Sequence, residues 1–287
     1  MASDPHFKHF VRHLFPYFYV KYQKLEAADC VEPFVAKGHL TENLFDVITK
    51  AMFELQDMLI ASWIENFDRE RQLMTSSAEK YISQTILFCH AQQLVIRDIY
   101  ERFIVVCALT TIIGMYAYRA TGKKFYKLTP VILTVLFEGV LREDFKKRGG
   151  WKRFERYIMQ QDYVEYYETY SAFQTCKEQK KDIHEDIKQK MRAFESRRKH
   201  FYVPFGIIEE GIENVHIVEL THEAVKILDT SLIAELNSII VSEMPSTSSL
   251  QETSISRSSS ELTIKEATTT EFNQSSKASE DVGSDES

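Results

Sequence analysis

Three histidines near the start of the chain, His6, His9 and His13, are the first residues whose type and spacing suit metal chemistry. Separated by three and four positions, they share one face of a helix. A zinc site needs a fourth ligand and groups that orient the imidazoles, and the neighbouring sequence offers neither. Packing and solvated histidines are the plainer reading. His216-x-x-Glu219-x-x-His222 lacks the i, i+4 histidine pair of a helical zinc protease. No metal or cofactor is assigned.

Other catalytic signatures are missing too. There is no Gly-x-Gly-x-x-Gly and no Gly-x-Ser-x-Gly, and Gly122-Lys123-Lys124 lacks the upstream glycine of a phosphate loop. The reading is therefore of a non-enzyme. Lys and Arg number 35 against 42 Asp and Glu, a net charge of −7, which argues against a nucleic-acid partner. Cys30, Cys89, Cys107 and Cys176 form no C-x-x-C pair, so reduced thiols and an intracellular protein are expected.

The residue that invites a functional reading is Arg102. It opens an uncharged run from Phe103 to Tyr118, shorter than the about 20 residues that span a bilayer. That run predicts a buried central helix ending near Gly122. A second apolar helix follows from Thr129 to Leu141, with Pro130 in its first turn. Gly149-Gly150 then breaks the chain before Trp151-Lys152-Arg153-Phe154. A hairpin this apolar must be wrapped by amphipathic helices. An Arg at its start needs a carboxylate or carbonyl partner, supplied either internally or by an incoming acidic residue.

The wrapping elements are legible. Ser3-Asp4-Pro5 starts a helix with Phe7, Phe10, Val11, Leu14 and Tyr17 on one face, which Pro16 kinks or ends. Thr41 caps a helix carrying Leu44, Val47, Ile48, Met52 and Leu55. Ser76-x-x-Glu79 is a capping-box pattern before Tyr81, Ile82, Ile86 and Leu94. Lys177–Lys199 predicts a charged helix with Ile183, Ile187, Met191 and Phe194 as a narrow stripe. Phe201–Val203 and Val215–Val218 suit short strands, and Thr221–Met244 an amphipathic helix. Residues 246–287 hold 19 Ser or Thr in 42 positions, which predicts a disordered acidic tail open to phosphorylation. The organisation is then a core at 1–173, a helical extension at 174–244 and a tail at 245–287.

Around Arg102 the chain resembles the B-cell-lymphoma-two (Bcl) family of apoptosis regulators. Leu94 and Ile99-Tyr100-Glu101-Arg102 fall where that family's first homology motif, centred on Asn-Trp-Gly-Arg, belongs. Gly149-Gly150-Trp151 with Phe154 matches its second. Arg102 and Trp151 stand 49 positions apart, which suits the family's two central helices. The resemblance implies an all-α bundle around a buried hairpin. It implies a groove that accepts the amphipathic helix of a pro-death partner, with a partner Asp pairing to Arg102. The groove residues are Leu94, Tyr100, Glu101, Arg102, Phe103 and Val106, and Gly149, Gly150, Trp151 and Phe154 pack the second motif. It also implies a cytoplasmic protein that works at the mitochondrial surface with peripheral membrane contact.

The chain departs from the pattern in five respects. Glu101 replaces the motif glycine, Tyr100 the motif Trp, and Asp144 the aromatic that opens the second motif. No Leu-x-x-x-Gly-Asp stands on the second helix, and no apolar anchor segment is expected at the C-terminus. Two other functions suit the same residues. One is a helical scaffold that binds through 174–244. The other is a membrane-active pore former built on the Phe103–Leu141 hairpin.

Overall fold

The computed structural model describes residues 4–23, 25, 33–197 and 214–237, which are helical throughout apart from their connections and one isolated bridge between Lys37 and Leu40. The helices are α1 (Pro5–Gln23), α2 (Glu42–Met74), α3 (Ala78–Val95), α4 (Ile99–Thr121) and α5 (Thr129–Leu136). They continue as α6 (Arg142–Lys147), α7 (Gly150–Ile158), α8 (Tyr163–Glu178), α9 (Glu185–Arg197), α10 (Asn214–Ile227) and α11 (Thr230–Asn237). The all-α class is as expected. The chain divides into Met1–Ile240 and Val241–Ser287, and the expected tail lies outside the described residues.

Local chemistry sets the helix ends. Asp4 caps α1 by accepting from the backbone of His6 at 2.9 Å and Phe7 at 3.0 Å, with Pro5 in the first turn. The α1 helix runs on through Pro16, because buried Phe15, Phe18 and Tyr19 hold the chain on either side of it. Thr41 caps α2 through Leu44 at 3.1 Å. The α3 cap is Ser77, one residue later than the capping-box reading, and it accepts from Lys80 at 3.2 Å. Gly122 ends α4 with φ +74 and its N–H on the Tyr118 carbonyl at 2.7 Å.

Helix α4 is the axis of the bundle. Every residue from Phe103 to Met115 is buried, among α2, α3 and α5. This helix is long and apolar enough to cross a bilayer, but 78% of its apolar window is buried inside the protein, as a core helix requires. The second apolar helix spans the expected residues, but its end, Phe137–Leu141, is a π-helical turn that leads into α6.

Four expectations beyond residue 173 change. The break after Phe173 falls inside α8, which is continuous from Tyr163 to Glu178. The expected charged helix is split instead at Lys180, whose φ of +51 no helix accommodates, so its stripe begins on α9. Val215–Val218 is helix, not strand. Ile217 joins Leu220 and Ala224 as one buried face of α10, which lies on α3 and α5. Phe201–Val203 lies outside the described residues, and the last helix is interrupted between Ile227 and Thr230.

Candidate functional site

The site is built where α3 turns into α4. Asp98 caps α4, accepting from the backbone of Tyr100 at 2.9 Å and Glu101 at 3.3 Å. Ile96 ends α3 in an extended conformation, so its carbonyl points away from the helix. The Arg102 guanidinium donates to that carbonyl twice, from Nε at 2.9 Å and Nη2 at 2.6 Å. A cation at a helix C-terminus meets the negative end of the dipole. The carbonyl partner that Arg102 was expected to need is therefore internal. Partial burial lowers its pKa from the ordinary value, and Asp144 and Asp98 stand near enough to offset part of that.

Three of the expected groove residues do not face solvent. Tyr100, Phe103 and Val106 are 1%, 0% and 2% exposed. For Tyr100 and Phe103 the reason is an aromatic nest closed over them by α1, the π-helical turn, α6 and α7, while Val106 lies within the buried stretch of α4. The Phe103 ring meets Phe7, Phe137, Phe145, Trp151 and Phe154 with centroids 5.3–6.3 Å apart. Tyr100 lies between Phe145 and Phe154. Each such pair adds about 0.5–1.5 kcal/mol beyond its area. Leu94 is the opposite case: with Val95 it is left exposed at the end of α3, at 52% and 38%. Glu101 and Arg102 are half-buried.

The second-motif residues behave as packing residues. Gly149 and Gly150 have φ of +114 and +59, conformations that side chains resist. This turn drives Trp151 and Phe154 into the same nest as Phe103. The two motif-like stretches therefore meet.

Sequence reasoning missed the acidic surroundings of Glu101. Burial, and then Asp98, raise the Glu101 carboxyl above its ordinary range. Burial raises Tyr157 and Tyr163 as well, and Glu101 adds to both. Glu54 and Asp162 act on Tyr163 from α2 and from the turn before α8. Asp98 had a signal in the sequence, a capping residue just before a helical run; the convergence of four elements had none.

Of the three clustered histidines, His9 and His13 stay together, and the His6 ring lies near His39. His9 makes a 2.7 Å hydrogen bond between Nε2 and the Val35 carbonyl and packs on His13. His216 lies 3.9 Å from Glu219 on α10. Among the described residues, no three His, Cys, Asp or Glu side chains gather as a metal would require.

Comparison with protein-family models, with curated proteins and with solved structures found no match to this chain.

Proposed function

We propose that this chain regulates cell death by binding amphipathic helices at the surface beside Arg102, as its resemblance to the Bcl family implies. What supports the reading is the meeting of the two motif-like stretches. The start of α4 and the start of α7 interlock through Phe103 and Trp151, with ring centroids 5.9 Å apart. Beside them lies a surface of mixed character. Leu94 and Val95 are apolar and exposed, Arg97 is exposed, and Arg102 is half-buried. An amphipathic helix with apolar anchors and an acidic residue suits that composition. Because Tyr100, Phe103 and Val106 are sealed, the anchors meet Leu94 and Val95 rather than a deep groove. The same reading expects a protein inside the cell, at work in the cytoplasm and at the mitochondrial surface.

The test is a fluorescence-anisotropy titration of the full chain with labelled amphipathic helices of pro-death proteins. Leu94→Glu is the informative variant, since its side chain is exposed and the fold does not depend on it. Binding at micromolar concentration, weakened about tenfold or more by Leu94→Glu, is expected. No binding at tens of micromolar, or binding unchanged in the variant, removes the proposal.

One observation favours a second reading, a scaffold that binds through the extension. Met191 and Phe194 hold α9 to Tyr166, Tyr170 and Phe173 in a small cluster separate from the main core. If partner recovery depends wholly on 174–244, this reading replaces the first.

A further inference from the structure

Six basic residues stand between Phe145 and Arg156, against one acid, the half-buried Glu155. Lys146, Lys147 and Arg148 close α6, while Lys152, Arg153 and Arg156 belong to α7, and all six are exposed. The packing of α7 explains this. Trp151, Phe154 and Ile158 are buried, so the opposite face of the helix meets water. Helical spacing puts Lys152, Arg153 and Arg156 on that face. A chain of net charge −7 thus gathers six cations against one carboxylate in a single short stretch, a local charge of +5.

The turn between the two helices draws the cations together. A Cβ on Gly149 would stand 3.0 Å from Arg153 Cβ and 3.3 Å from its Cδ, so the Arg153 stem lies back over the turn. Burial raises the Tyr100 phenol, and the charges of Arg153, Arg148 and Arg156 each act against that. Three guanidiniums therefore stand near one hydroxyl, the one that donates to the Gly150 carbonyl. Acids answer few of these charges. Glu143 and Asp144 precede the run in the first turn of α6. Lys147 reaches Asp144 at 3.7 Å and Arg148 reaches Asp98 at 3.6 Å, both long pairs. Lys146, Lys152, Arg153 and Arg156 form no ion pair among the described residues.

We propose that this face docks on membranes: the exposed side of α7, with the end of α6, lies against a bilayer rich in anionic lipid. A cluster of about four to eight basic residues on an amphipathic helix is drawn to such a surface. The charge of the face complements anionic headgroups, and other anionic partners need what it lacks. A nucleic acid held by stacking needs exposed rings, and Trp151 and Phe154 are buried beneath the cations. An acidic amphipathic helix needs a place for its apolar anchors, and from 146 to 157 no large apolar side chain is exposed. A bilayer surface asks only for charge at close range, and flexible Lys and Arg stems deliver it. The proposal is independent of the helix-binding reading: vesicle binding through α7 upholds it even if no pro-death helix binds beside Arg102.

Liposome flotation of the full chain tests it. The protein is expected to float with phosphatidylcholine vesicles holding about 30% phosphatidylserine and to stay behind with phosphatidylcholine alone. Salt at about 0.5 M is expected to release it, because the attraction is screened. The charge reversal Lys152→Glu/Arg153→Glu/Arg156→Glu is expected to weaken binding about tenfold or more. Circular dichroism checks its fold. Should it fold poorly, Lys152→Gln/Arg156→Gln serves and is expected to weaken binding about threefold or more. A second triple variant, Lys8→Glu/Lys124→Glu/Lys226→Glu, makes the same change of net charge at exposed positions elsewhere and is expected to keep its binding. Equal binding to the two kinds of vesicle, no binding to the anionic ones, or an equal loss in the two triple variants overturns the proposal. So does tighter binding of a duplex oligonucleotide or an acidic peptide that the α7 variant abolishes, which assigns the face to that partner instead.

Discussion

Tyr100 and Gly150, fifty positions apart in the chain, are joined by a hydrogen bond from the phenol to the glycine carbonyl at 3.3 Å. The bond ties the first turn of α4 to the glycine turn that starts α7. The long distance marks it as a modest contribution, and the buried ring carries more. Tyr100→Phe is expected to cost about 0.5–1.5 kcal/mol and Tyr100→Ala about 3–5 kcal/mol. Urea denaturation followed by circular dichroism measures both. Equal costs would mean that the ring contributes nothing beyond its hydroxyl.

The glycine turn itself is expected to resist substitution unequally. At Gly150, φ is +59 and an added Cβ meets nothing within 4 Å, so Gly150→Ala bears only the left-handed cost of about 1–2 kcal/mol. At Gly149, φ is +114 and the Cβ would stand 3.0 Å from Arg153 Cβ. Gly149→Ala is therefore the more damaging, at about 2–3 kcal/mol. Melting curves of the two variants give the order.

Glu101 is expected to hold the protein below its attainable stability at neutral pH. Its carboxyl is raised by burial and by Asp98, so the folded state favours the protonated form. That favour is fully present below the ordinary value of 4.5 and is lost as pH rises through the folded value. Glu101→Gln is expected to raise the urea midpoint at pH 7, with the gain disappearing as pH is lowered toward 4.5. A gain that persists unchanged at acid pH contradicts the assignment. If the surface beside Arg102 binds an acidic helix, the same variant binds it more tightly at pH 7.

Arg102→Lys is expected to destabilise the α3–α4 turn, because one ammonium cannot place two donors on the Ile96 carbonyl as the guanidinium does. The expected loss is about 1–2 kcal/mol, since the group is half-buried. Backbone amide exchange at residues 96–98 is expected to rise more than exchange in the middle of α4.

Cys89 and Cys107 are expected to be silent toward thiol reagents in the native protein. Both are buried in the core, and burial pushes the Cys89 thiol up to about 12. Cys176 is partly exposed. Alkylation at pH 8, mapped by mass spectrometry, is expected to mark Cys176 within minutes. Cys89 and Cys107 are expected to react only after denaturant is added.

Much of this architecture was readable without coordinates. The cap at Thr41, the stop at Gly122 and the break at Gly149-Gly150 depend on side-chain hydrogen bonds and backbone freedom within a few residues. The burial of Phe103–Met115 followed from the lack of charge in this stretch, because such a helix has no face to offer water. Where the reading slipped, the competing signals were also local and close in strength. Ser76 and Ser77 are both good caps, and Val-His-Ile-Val alternates like a strand until Leu220 and Ala224 extend its buried face.

The sequence by itself determined the helical class, the central apolar helix and the glycine turn, since each is set by propensity, charge or chain stereochemistry. Only the tertiary structure decided that Tyr100, Phe103 and Val106 are sealed while Leu94 is exposed. It alone paired Arg102 with Ile96, brought His90 to His216 and fitted Leu220 against Gly139. Those relations rest on how distant helices cross, and helical spacing states which residues share a face but not what that face will meet.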